Sequence, residues 1–128
     1  MLTVLAEQLG TGPLAPWKVT RDGVKYEVDG ADDGRTVLAE CWAHQGVAKG
    51  AQKQKLLTDA LKLRVLADDL GTAPRLVLCV ADERAIAHLR GRSWHGKALR
   101  TLGVEVAVVA LPAEVAADVA AAQTLQFR

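Results

Sequence analysis

Pro74 is followed by an almost unbroken apolar run, Leu76-Val77-Leu78-Cys79-Val80-Ala81, with Arg75 before it and Asp82 closing it. A strand with one wet face alternates apolar and polar side chains, so a run without alternation is covered on both faces, usually in the parallel interior of a sheet. A chain of 128 residues built on such a strand has to supply helices for two sheet faces, which requires an α/β arrangement. The strongest helical pattern is Ala51–Leu70. Leu56, Ala60, Leu63, Ala67 and Leu70 recur at helical spacing, Leu57, Leu61 and Leu66 widen the apolar face, and Gly71 and Pro74 stop it. After the apolar run, Asp82 caps a helix expected over Glu83–Arg90, and Ser93 one over Trp94–Leu102 that ends at Gly103. Val104–Leu111 reads as another strand, closed by Pro112, and Glu114 to about Gln123 as an alanine-rich last helix.

The first third of the chain has the other periodicity. A short helix, Leu2–Leu9, stops at Gly10, and a loop over Thr11–Pro16 follows. Trp17–Thr20, Val24–Asp29 and Arg35–His44 then read as strands, with Arg21-Asp22-Gly23 and Ala31–Gly34 as the turns. The expected fold is one α/β domain spanning residues 1–128. Its mixed sheet consists of a three-stranded antiparallel meander plus two further strands, flanked by helices in the order αβββαβαβα. A Rossmann unit is excluded, because no Gly-rich turn joins the first strand to a helix, and no Gly-Lys-Ser/Thr phosphate loop occurs.

Three acidic residues fall on the second and third of those strands. Strand alternation puts Glu27 and Asp29 on one face, and Thr36, Leu38, Glu40, Trp42 and His44 on one face of the next strand. Three carboxylates can then converge on one side of a ribbon, as a hard divalent cation requires. Glu27-Val28-Asp29, the turn, and Val37-Leu38-Ala39-Glu40-x-Trp42 together resemble the PD-(D/E)XK nuclease superfamily, in particular its small Mrr-like and Holliday-junction-resolvase-like members. The resemblance implies a restriction-endonuclease-like fold and phosphodiester hydrolysis with Mg²⁺ or Mn²⁺. It makes Asp29 the metal-binding aspartate, Glu40 the glutamate of Glu-x-Lys, and Glu27 the accessory acid. The carbonyl of Cys41 is a further candidate metal ligand, and Glu7 on the first helix matches an acid that some members place near the metal.

The chain departs from the pattern where the lysine belongs, at Trp42. An indole has one neutral donor and no basic group. Lys49 and Lys53, at the start of the long helix, are the expected replacements, with His44 as an alternative acid–base group. A cation at a helix N-terminus opposes the helix dipole, so a nearby anion would explain its position. The alternative reading is a catalytically impaired relative, kept as a DNA-binding or protein-interaction module. A third reading is a small interaction domain of unrelated ancestry.

A basic tract supports a polyanionic partner. Arg84, Arg90, Arg92, Lys97 and Arg100, with His88 and His95, occupy a stretch without Asp or Glu that also carries Trp94. Arg90, Arg92, Lys97 and Arg100 are the candidate contacts to nucleic acid, with DNA preferred over RNA. The overall net charge of +1 makes any such surface local. The two cysteines, Cys41 and Cys79, fall inside strands and read as buried thiols in a reducing cytoplasm. Zinc is not expected, for want of paired Cys or His spacing. Leu2–Leu9 carries Glu7 and lacks the basic start of a secretory leader, and no apolar run has membrane-spanning length. The expected protein is cytoplasmic and homodimeric, since one small nuclease domain usually needs a partner to address both DNA strands.

Overall fold

The computed structural model of the chain describes residues 1–126. Helix α1 (Leu2–Leu9) is followed by strands β1 (Ala15–Arg21), β2 (Val24–Ala31) and β3 (Val37–Trp42). Helix α2 (Gly50–Leu70) leads to β4 (Arg75–Val80), a 3-10 helix (Glu83–Leu89), α3 (Trp94–Leu102), β5 (Val104–Val108) and α4 (Ala113–Gln126). The five strands lie in sequence order in one sheet. β1, β2 and β3 are antiparallel neighbours, and β3, β4 and β5 run parallel. The fold is the mixed α/β sheet expected from the sequence, with local differences: the Asp82-capped segment winds as a 3-10 helix, β1 begins at Ala15, β3 spans only Val37–Trp42 and so leaves out His44, and β5 stops at Val108.

Strand β4 is covered on both faces. Leu76, Leu78 and Val80 of β4 join a core with Leu38 of β3 and Leu56, Leu63 and Leu66 of α2. Val77 and Cys79 point the other way, into a smaller core with Val37 and Ala39 of β3 and Leu5 of α1. Each β4 side chain from Leu76 on is therefore buried, and no polar residue has a place there.

The connection from β2 to β3 turns on Asp32. Its carboxylate accepts the backbone N–H groups of Thr36 (2.7 Å) and Val37 (3.0 Å), and the Thr36 hydroxyl as well. The residue with positive φ here is Arg35 (54°), just past the expected Ala31–Gly34 turn. Two contacts hold Arg35 there: Nη1 donates to the Asp32 carbonyl at 2.9 Å, and the guanidinium lies 4.2 Å over the Trp17 ring. Burial pushes the Asp32 carboxyl up, but the donors from Thr36 and Val37 outweigh it and hold it below its ordinary value.

Asp32→Ala leaves the buried Val37 N–H and the part-buried Thr36 N–H without an acceptor. It is expected to cost about 1–3 kcal/mol of stability in urea unfolding, while Asp33→Ala at the exposed neighbour changes little. Equal effects at the two positions would show that Asp32 does not organise the turn.

Candidate functional site

Two irregularities in β2 place the acidic residues. Trp17 pairs with Val28 and Ala15 with Ala31, so β2 carries one residue more than β1 over that interval. Such a β-bulge breaks the alternation of faces and re-aims a side chain. In addition, β2 pairs with β3 only at Gly30–Ala39 and Ala31–Leu38. Beyond those pairs the strands part at Asp29. There the Asp29 carboxylate takes the role a backbone carbonyl would play, accepting the Cys41 N–H at 2.8 Å. This brings it beside Glu40, the preceding residue of β3.

Glu40 lies on the α2 side of the sheet and is 6% exposed. Lys62, in the middle of α2, reaches it: Nζ stands 2.7 Å from Glu40 Oε1, an ion contact without aligned hydrogen-bond geometry. Burial is the main influence on Glu40 and, with the neighbouring Asp29 carboxylate, raises its pKa. Lys62 opposes this, and the carboxyl ends at about 7. A glutamate so poised exchanges its proton near neutrality.

The other expected residues stand elsewhere. Glu27 is exposed and pairs with Lys18 across the β1–β2 hairpin at 3.7 Å. Glu7 lies on α1, over the opposite sheet face from Glu40, beside a small cleft with Thr3, Thr11 and Pro13. Cys41 engages Asp29 through its N–H. Lys49 and Lys53, expected to replace the motif lysine, are not the lysine at Glu40. The positive charge of Lys49 acts on His44 and that of Lys53 on His88, in each case lowering the imidazole pKa after burial. The lysine at Glu40 is Lys62, nine residues beyond Lys53. The apolar stripe of α2 reveals it in hindsight. Lys62 stands one turn before the fully buried Leu66, at an edge of that stripe.

Trp42 does not face a substrate space. It packs against the larger core and stacks on His44 with ring centroids 4.6 Å apart and planes within 8°. His44 has the side-chain amide nitrogens of Gln52 and Gln123 3.3 Å from its Nδ1 and Nε2, and as a neutral imidazole it accepts from one of them. It therefore anchors α4 to the β3–α2 loop rather than serving Glu40.

The basic tract is smaller than its sequence suggests. Arg84 pairs with Asp82 (2.5 Å) and Arg90 with Glu83 (3.0 Å), two acids just upstream of the tract. Arg92, Lys97 and Arg100 remain exposed on α3 and its approach. Trp94 is 60% exposed beside them, with His95 against its ring at 3.9 Å.

Among the described residues no group of three or more His, Cys, Asp or Glu is arranged to hold a metal ion. Asp29 and Glu40 make a pair, which fits a weakly held hard cation completed by water and a phosphate. The Lys62 ammonium beside Glu40 shows that the position favours positive charge. Among the described residues no helix is long and apolar enough to cross a membrane. The chain matches no protein-family model, no curated protein and no solved structure.

The raised pKa of Glu40 has a sign that can be checked. Its native form binds protons more tightly than the ordinary 4.5 of an unfolded glutamate, so folding stability is expected to fall as pH rises from about 4.5 to about 7 and then level off. Carboxyl NMR is expected to show one glutamate titrating near 7, and Lys62→Met is expected to move it higher. A Glu40 resonance with an ordinary midpoint, unmoved by Lys62→Met, would contradict the geometry.

Proposed function

We propose that the protein is a divalent-metal-dependent phosphodiesterase acting on nucleic acid, DNA in preference to RNA, with Asp29, Glu40 and Lys62 as its working group. The observation that carries this reading is the meeting of two carboxylates and a lysine at the point where β2 leaves β3. A bound Mg²⁺ or Mn²⁺ would polarise the phosphate and acidify a water. Asp29 and Glu40 supply the oxygen ligands. The ionised form of Glu40 is the one that binds, so activity rises with pH through about 7, where it is half-maximal, and flattens about one pH unit above. Lys62 is close enough to exchange its contact with Glu40 for one with a phosphate oxygen or the attacking water. Arg92, Lys97 and Arg100 hold the backbone of the nucleic acid, and exposed Trp94 offers a face for a base. A second copy of the chain would address the opposite strand.

A second reading is favoured by the closeness of the Lys62–Glu40 contact. If Lys62 is only the counter-ion of a buried acid, the domain is a nuclease-like binding module that retains the basic surface and does no hydrolysis.

Incubation with labelled duplex, single-stranded and branched DNA in Mn²⁺ separates the two. The proposal predicts cleavage that Asp29→Asn, Glu40→Gln and Lys62→Met each reduce by at least about a hundredfold, whereas Lys49→Ala and Lys53→Ala remain active. Binding without cleavage on every substrate would establish the second reading. For the surface, neutralising Arg92 and Lys97 together is expected to reduce the slope of log affinity against log salt by about two. Arg90→Gln, already paired with Glu83, is expected to change it by less than about one. An unchanged slope in the double variant would remove α3 from the interface.

A further inference from the structure

Cys41 and Cys79 are direct partners in the parallel ladder of β3 and β4. Both side chains lie on the α1 side of the sheet. Neighbouring strands lie about 4.8 Å apart, within the roughly 4.4–6.8 Å between Cα atoms that a disulfide spans. Their surroundings are unequal. Cys79 is fully buried, with β3 on one side and Ala107 of β5 on the other. Cys41 is half-buried, because β2 has already left β3 there and only the Asp29 carboxylate meets its backbone.

We propose that Cys41 and Cys79 form a reactive dithiol, a site of thiol–disulfide exchange with a low-molecular-weight disulfide. Cys41 is the entry thiol and Cys79 the resolving one. In the first step Cys41 gives up its proton to water, against the neighbouring Cys79 and the burial that push its thiol up, and its sulfur attacks one sulfur of the reagent. A mixed disulfide forms at Cys41 and one small thiolate leaves. In the second step Cys79 attacks the Cys41 sulfur while its proton passes to the departing small thiolate, which leaves as the second small thiol. The two protein thiols lose two electrons and two protons, and the reagent disulfide becomes two thiols. The product ties β3 to β4 one residue past Glu40, closing a covalent loop around the whole of α2. This proposal stands on the strand register and holds whether or not the carboxylate site hydrolyses anything.

The test uses the full chain with oxidised glutathione at neutral pH, followed by alkylation, intact mass and a non-reducing peptide map. Wild type is expected to lose about 2 Da and both alkylatable thiols, with one peptide joining Cys41 to Cys79. Cys79→Ser is expected to stop at a stable glutathione adduct on Cys41, and Cys41→Ser to stay unmodified because its remaining thiol is sealed. If either variant does not fold, the wild-type map decides alone. A persistent adduct on wild type, a disulfide between two chains, or thiols that stay free in the folded protein yet oxidise in urea would each overturn the proposal. So would a Cys41→Ser chain that reacts as fast as wild type.

Discussion

An ionisable carboxyl buried within a sheet must be neutralised or given a counter-charge, because an isolated charge in an apolar interior costs more than a domain of this size can spare. Glu40 is that carboxyl, and the arrangement around it follows from the need. Lys62 answers it from α2, whose buried leucines pack that helix against the sheet. Asp29 adds a second negative charge beside it, which opposes the neutralisation and helps leave Glu40 balanced near pH 7. Two adjacent acids and a shared cation seldom improve stability over apolar residues of similar size. Their presence in an otherwise tightly packed interior is the physical reason for reading the position as chemical rather than structural.

The sheet geometry makes the position accessible. If β2 and β3 paired along their full length, the Cys41 N–H would be taken by a backbone carbonyl and Asp29 would have no reason to turn toward it. The bulge and the early parting of the strands leave that donor to the Asp29 carboxylate. The same opening leaves Cys41 half-buried while Cys79 stays sealed, so one departure from regular pairing creates both the carboxylate corner and the asymmetry of the dithiol.

Much of the fold was legible because its signals are local. The alternation-free run of β4, the α2 stripe ending at Gly71, and the Ser93 and Asp82 caps each act within a few residues, and the elements formed close to where they were expected. The pairing of Asp29 with Glu40 was also legible, from strand order and the motif. What the sequence could not show depends on contacts far apart in the chain. The bulge spoils the simple alternation that grouped Glu27 with Asp29, and Glu27 answers Lys18 instead. Lys62 is twenty-two residues from Glu40, and only the packing angle of α2 brings it there, so proximity in sequence pointed to Lys49 and Lys53. The basic tract looked uniform because the acids that neutralise Arg84 and Arg90 stand just outside it.

The central claim, that Asp29 and Glu40 form one cation-binding corner with Lys62 at its edge, is tested most directly by anomalous diffraction from crystals soaked in Mn²⁺ above pH 7. The account predicts a single peak bridging the two carboxylates, at about the 2.0–2.6 Å that hard divalent cations keep from oxygen. The Lys62 ammonium should then be drawn away from Glu40 Oε1. Crystals that show no peak there at high Mn²⁺, with the Lys62–Glu40 contact unchanged, would contradict it.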